Sequence, residues 1–346
     1  MKRILATILL IGTATAMADM ITNPPVTAKS TEPLITEKVL AHDPVIAREK
    51  GVCYLFTTGP GITIWQSKDM RHWLQEGRIY PDRPAWADAA VPKFNGHLWA
   101  PDISFYNGTY YLYYAVSAFG SNRSCIGLAT NKTLSPTDPA YQWVDHGIVL
   151  DSVPGADNWN AIDPQLVEGE HGQAYLAFGS FWSGLKLARL SPDRMSVIDD
   201  RKQFITIASR ERVHKAGKDS PLEKGKKDVE GPFIYHHGDY YYLFASTGLC
   251  CLGPASTYRM IVGRSKSVTG PYLDTDGVPM LEGGGTLLLQ GNKDWQGVGH
   301  NSAYKFDGVD YLVFHGYDAS TKEALPKLRI EVIKWSPEGW PVVAQP

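Results

Sequence analysis

At 346 residues the chain is long enough to bury a full core, as one large domain or two ordinary ones. Four cysteines are too few for a disulfide framework at this length, and no Cys-x-x-Cys pairs with a histidine cluster, so a structural zinc site is not indicated. The formal charge of −2 becomes −4 once Lys2 and Arg3 of the leader are removed, which argues against nucleic acid or an anionic surface as the main partner.

The chain opens on a processing signal. Lys2 and Arg3 precede an apolar run from Ile4 to Ile11, and Ala16-Met17-Ala18 has the small residues of a cleavage site. Residues 1–18 therefore read as a signal peptide, residues 19–36 as a linker and residues 37–346 as one folded domain. The leader's apolar run is too short to span a bilayer, and no later stretch is a membrane span. A secreted or periplasmic protein is expected, and a monomer, although no sequence feature marks oligomeric state.

Beyond the linker a short motif recurs five times, followed ten or eleven residues later by Tyr-Leu. The copies are Asp43-Pro44 with Tyr54-Leu55, Ala100-Pro101 with Tyr111-Leu112, Asp163-Pro164 with Tyr175-Leu176, Glu230-Gly231 with Tyr242-Leu243, and His300-Asn301 with Tyr311-Leu312. Each unit begins with a short strand-forming run such as Ile103 to Tyr106 or Phe233 to His236. A polar turn follows, such as Asn107-Gly108 or Gly238-Asp239, whose residues supply positive φ at little steric cost. The aromatic second strands are 53–57, 110–116, 174–178, 240–245 and 310–315. Third strands are expected at 62–67, 125–129, 184–190, 260–264 and 328–335, with weaker outer strands near Trp73, Trp143 and Tyr272. Helical periodicity is nearly absent. Units of this size built from three or four strands predict an all-β fold, a five-bladed β-propeller.

The first residue of each motif forms a column reading Asp43, Ala100, Asp163, Glu230 and His300, at intervals of 57, 63, 67 and 70 residues. Inner strands of a propeller start near its axis, so these side chains are expected to converge on one pocket. Any single Asp-Pro can be a turn former. Three carboxylates in one repeat frame point instead to chemistry. Without a phosphate loop or a nucleophilic Ser or Cys motif, that chemistry reads as glycoside hydrolysis, by a protonated carboxylic acid and an ionised carboxylate. A third carboxylate tunes and orients the acid through like-charge repulsion. Asp102 lies after its proline, out of frame, and is expected to play a structural part.

The segments His42-Asp43-Pro44, Trp99-Ala100-Pro101-Asp102, Ala161-Ile162-Asp163-Pro164 and Val229-Glu230-Gly231-Pro232 resemble the signature segments of glycoside hydrolase family 43, and more narrowly of its α-1,5-L-arabinanases. The resemblance runs from about Val39 to Trp340 and implies a five-bladed propeller acting on arabinan and arabino-oligosaccharides with inversion. It implies Asp43 as general base, Glu230 as general acid and Asp163 as the carboxylate that tunes and positions the acid. Inversion asks for acid and base roughly 6.5–9.5 Å apart. It further implies that His300 sits beside an axial metal, usually calcium, held largely through water, and that Trp99 and Phe119 stack on arabinose rings. Asn160 and Ser180 are additional polar candidates for substrate binding; Tyr111 and Tyr242 read as core.

An endo-acting arabinanase is the expected activity, although loop shapes at the groove ends decide endo against exo attack. An arabinofuranosidase or β-xylosidase of the same family, or a non-catalytic carbohydrate-binding propeller, are the alternatives. Cys250 and Cys251 are either a vicinal disulfide formed after export or two buried thiols on opposite faces of a strand. The mixed charge run from Lys215 to Asp228 reads as a solvated loop.

Overall fold

The computed structural model describes residues 32–210 and 228–346. The expected signal peptide, most of the expected linker and nearly all of the Lys215–Asp228 run lie outside the described residues. Five antiparallel sheets follow one another along the chain, one per repeat, as the repeat predicted. Blade one holds β2 (Val45–Glu49), β3 (Val52–Thr57), β5 (Thr63–Ser67) and β6 (His72–Arg78) from inside to outside, with β1 (Leu34–Ile35) added at its rim. Blade two holds β7 (His97–Tyr106), β8 (Thr109–Val116), β9 (Ser124–Asn131) and β10 (Val144–Ser152), with β4 (Gly59–Pro60) along β7. Blade three is β11 (Gln165–Glu168), β12 (Ala174–Phe178), β13 (Leu185–Arg189) and β14 (Ile205–Ala208). Blade four is β15 (Val229–His237), β16 (Tyr240–Thr247), β17 (Arg259–Ser265) and β18 (Thr286–Gln290). Blade five is β19 (Trp295–Phe306), β20 (Val309–Asp318), β21 (Pro326–Trp335) and β22 (Pro341–Val342).

Two expectations shift. The folded domain begins before residue 37, because Leu34 pairs with Trp73 at the rim of blade one. The outer strand of blade four is β18 rather than the segment near Tyr272. That segment is held to β17 only through an isolated bridge between Arg264 and Leu273, and it carries the buried Tyr272 into the interface with blade three.

The Tyr-Leu dipeptide has a direct packing meaning. Adjacent strand residues face opposite sides, so in each blade the Leu enters the core shared with the preceding blade and the Tyr faces the next. Leu112 packs with Tyr54 and Phe56 of blade one, whereas Tyr111 packs with Leu166 and Leu176 of blade three. Leu243 likewise joins the blade-three interface and Tyr242 the blade-five interface. All five leucines are fully buried. The ring closes where Leu55 and Trp65 of blade one meet Val313 and Leu328 of blade five. Main-chain bonds from Leu328 N–H to the Val39 carbonyl and from Ala41 N–H to the Pro326 carbonyl reinforce that closure.

The inner strands present unpaired N–H groups toward their neighbours, and side chains of the preceding blade cap three of them. Tyr304 Oη accepts from Ile46 N–H at 3.1 Å, Asp102 Oδ2 from Leu166 N–H at 2.8 Å, and Gln165 Oε1 from Ile234 N–H at 3.1 Å. Asp102 is thus a buried strut between blades two and three, as its register implied. Burial pushes its carboxyl from the ordinary 3.8 up to about 7. The native state therefore holds a proton that the unfolded chain releases between about pH 4 and pH 7, and stability from this group falls as pH rises through that window. Asp102→Asn keeps an acceptor for Leu166 N–H and removes the ionisation. Its Tm is expected to match wild type near pH 4 and exceed it by several degrees at pH 8. A pH-independent difference in thermal melts counts against this reading.

Candidate active site

The entrances of the inner strands share one backbone feature. Asp43, Ala100, Asp163 and His300 all adopt positive φ, between 42° and 56°, and so does Gly231 at 59°. Outside glycine and Asx residues this region costs about 1–2 kcal/mol, and such outliers cluster at functional sites. Each sits in a β-bulge or at the start of its strand. In blade two the ladder breaks between Trp99 and Asp102, in blade four between Glu230 and Phe233, and in blade five between Gly299 and Ser302.

That register corrects the column. The structural equivalent of Asp43 and Asp163 in blade four is Gly231, and Glu230 lies one residue upstream, equivalent to His42, Trp99 and Ile162. Glycine suits this place, since it adopts φ 59° and a Cβ there would sit a tight 3.3 Å from the His300 ring. Glu230 still reaches the site, since the preceding positions line the same cavity.

The cavity encloses about 590 Å³. All the predicted site residues line it: Asp43, Asp163, Glu230, His300, Trp99, Phe119, Asn160 and Ser180. His42, Thr58, Phe181, Trp182, Cys250 and Cys251 line it too and were not anticipated as site residues. Signals existed for some of them. His42 adjoins the column, and Phe181-Trp182 is an aromatic pair between Gly-Ser and Ser-Gly.

Asp43 is held from several sides. Its Oδ1 lies 2.8 Å from His42 Nδ1 and 3.1 Å from His300 Nδ1, and its Oδ2 accepts from the Thr58 hydroxyl at 2.5 Å. Thr58 Oγ1 in turn accepts from Ala100 N–H at 2.7 Å, tying the first two blades together. Burial alone would raise the Asp43 carboxyl; the His300 and His42 imidazoles outweigh it and hold the group well below the usual carboxylate range. Burial also works against charge on His42, yet Asp43 and Cys251 raise it well above an ordinary histidine. His315 stacks on His42 with ring centroids 3.9 Å apart, and its Nδ1 accepts from Asp43 N–H at 3.2 Å. Burial and the neighbouring His42 keep His315 neutral, so its 3.7 Å approach to Asp43 Oδ1 is not an ion pair.

Asp163 is the opposite case. Burial first, then the charges of Glu230 and Asp43, push its carboxyl well above the ordinary range. Its Oδ2 accepts from Gly231 N–H at 3.1 Å, which pins the backbone next to Glu230. Ser180 donates its hydroxyl to Glu230 Oε2 at 2.6 Å and forms a β-bridge with the same residue. The Ser180 side chain therefore orients a carboxylate. Asn160 is buried, and its Oδ1 accepts from Ser124 Oγ at 2.7 Å, so it is braced from behind. Trp99 and Phe119 form an aromatic wall with ring centroids 4.9 Å apart, and Phe119 is 56% exposed on its loop.

Calcium prefers about six to eight oxygen ligands. Besides the Thr58 hydroxyl, the groups around the Asp43 carboxylate are the imidazoles of His42, His300 and His315, and one carboxylate with one hydroxyl falls short of a directly caged calcium. Oxygen ligands would have to come from water, as the resemblance implies, and no chemical step below passes through a metal.

The arrangement offers an ionised carboxylate, a protonated carboxyl beside a further carboxylic residue, and an aromatic wall, which suits acid–base cleavage of a sugar acetal. The family described as "Glycosyl hydrolases family 43" matches residues 31–341. An extracellular exo-α-(1→5)-L-arabinofuranosidase of Cellvibrio japonicus is 52% identical over 307 residues, covering 89% of this chain and 87% of the relative. An extracellular endo-α-(1→5)-L-arabinanase of Bacillus subtilis is 40% identical over 306 residues, covering 87% of each. The solved structure of the Cellvibrio cellulosa α-L-arabinanase complexed with arabinohexaose superposes with a TM-score of 0.82 at 51% identity, covering 88% of this chain and 96% of that one. The chain is therefore a glycoside hydrolase and belongs to glycoside hydrolase family 43.

Proposed function

We propose that this protein is an exported hydrolase of α-1,5-L-arabinofuranosidic linkages in arabinan, working with inversion. The observation that carries the chemistry is the meeting of Asp43, Asp163 and Glu230 from three blades in one aromatic-walled cavity. Asp43, kept ionised by its imidazole neighbours, takes a proton from the attacking water. Glu230 gives its proton to the leaving oxygen, so Asp43 ends protonated and Glu230 ionised. Asp163 orients Glu230 through the Gly231 N–H, and burial with the charges of its carboxylate neighbours favours a proton on Asp163 at this end of the cavity. Trp99 and Phe119 supply stacking surface for the furanose rings, and Asn160 a braced amide.

Arabinan is supported as substrate by the names of the relatives, which are an exo-acting enzyme at 52% identity and an endo-acting one at 40%. Export is supported by the leader sequence and by the extracellular naming of both. No helix among the described residues is long and apolar enough to cross a membrane.

Time-resolved product analysis on debranched linear α-1,5-arabinan tests the proposal. A spread of oligosaccharides of inverted anomeric configuration is the expected result for endo attack. A single short product from the first time point reassigns the mode to exo, the other activity named among the relatives. No hydrolysis overturns the substrate assignment. A water-held calcium beside His300 belongs to the same proposal: exhaustive chelation is expected to lower both Tm and turnover, with added calcium restoring them. Unchanged values remove the metal.

A further inference from the structure

Cys250 and Cys251 lie in the loop between β16 and β17, not on a strand, and both face the cavity that holds the catalytic carboxylates. Both are free thiols and partly exposed. The loop is flanked by Gly248 and Gly253 in positive φ, and Cys251 itself adopts φ 63°. Cys251 Sγ lies 3.7 Å from His42 Nε2, while His42 Nδ1 lies 2.8 Å from Asp43 Oδ1. Thiol, imidazole and carboxylate thus stand in series, the arrangement that activates a sulfur nucleophile. Tyr317 Oη locks the end of this series, accepting from Cys251 N–H at 2.9 Å and lying 2.9 Å from His42 Nε2.

We propose that Cys250 and Cys251 form an oxidisable thiol site in the wall of the catalytic cavity, at which a hydroperoxide converts both thiols into a vicinal disulfide and shuts turnover off. The Cys251 thiolate attacks one peroxide oxygen, the O–O bond breaks, and the departing oxygen leaves with a proton, giving a sulfenic acid. The Cys250 sulfur then attacks Cys251 Sγ, the S–S bond forms, the S–O bond breaks and water leaves. Two sulfurs are oxidised by two electrons in all, and the peroxide is reduced.

The site is selective within the chain. The hydrogen bond from Cys250 and, against the cost of burial, the His42 imidazole bring the Cys251 thiol down to about 6. Burial instead pushes Cys53 up, and Cys125 up to about 12. Those two are sealed inside blade interfaces and lack the exposure that oxidation needs. Closing the small ring of a vicinal disulfide turns the shared peptide, takes Cys251 N–H from Tyr317 and removes the sulfur that faces His42. Because His42 holds Asp43, displacement of this kind is expected to cut turnover on the order of a hundredfold.

The test uses the purified full mature chain and hydrogen peroxide in modest excess, followed by intact mass, peptide mapping and turnover. The expected result is loss of two hydrogens mapped to the peptide holding 250 and 251, a matching loss of activity, and recovery of both with dithiothreitol. Arabino-oligosaccharide is expected to slow the oxidation. In Cys250→Ser the reaction should stop at a sulfenic acid on Cys251 that dimedone traps, and in Cys251→Ser neither adduct should form. Persistence of both thiols while a denatured control oxidises overturns the proposal. So does full oxidation with turnover unchanged. The mass readout is independent of which glycoside is cleaved, so its failure is distinguishable from failure of the arabinan assignment.

Discussion

Glu230→Gln is expected to lower kcat/KM on linear arabinan by about 10²–10⁴-fold, the range a positioned general acid contributes. The loss should depend on the leaving group. An arabinofuranoside of an acidic phenol needs little protonation as it departs, so the variant should hydrolyse it far closer to the wild-type rate. Glutamine keeps the length of the side chain and an acceptor for the Ser180 hydroxyl, so the geometry set by that 2.6 Å bond survives. Oligosaccharide binding should therefore persist, which separates an enzyme from a carbohydrate-binding propeller. Equal loss on both substrates moves the acid role away from Glu230.

Asp43→Asn is expected to lose activity by a similar factor on both substrates, because water activation is needed whatever leaves. It also alters pH dependence. Wild-type kcat/KM should be bell-shaped in pH, and its acid limb should lie well below the usual carboxylate range, since His300 and His42 overcome burial to keep Asp43 ionised. The alkaline limb follows loss of the proton held among Asp163 and its neighbours, where burial and like charge favour the protonated form. In Asp43→Asn the acid limb should disappear while the alkaline limb remains. The sign for stability follows from the same depression: Asp43 contributes stability above the ordinary carboxylate value that is lost as pH falls through its folded value. The variant should thus melt below wild type at neutral pH. A wild-type rate independent of pH between about 4 and 9 removes the acid–base assignment.

The oxidisable pair at 250 and 251 adds a condition to both experiments. A preparation with part of its Cys250 and Cys251 oxidised would underreport wild-type turnover, so activities belong with a measured thiol state.

Blade number, the inner strands of each blade and the convergence of Asp43, Asp163 and Glu230 on one cavity were legible in the residues alone, because they depend on local periodicity. Tyr-Leu repeats once per blade since neighbouring strand residues must serve two different interfaces, as Leu112 and Tyr111 do. The aspartates recur at Asp-Pro because each inner strand must start from the same turned backbone. What the sequence did not disclose depends on contacts between distant segments. Glu230 stands one residue upstream of the column, whose blade-four place is taken by Gly231 at positive φ, where a Cβ would come within 3.3 Å of the His300 ring of blade five. Ser180 became a brace for Glu230 through a bridge from the loop after β12 to the start of β15, fifty residues on. His315 reached Asp43 across the ring closure, and Cys251 reached His42 across 209 residues. Local pattern specifies which residues alternate and turn; only closing the ring of blades decides which of them meet.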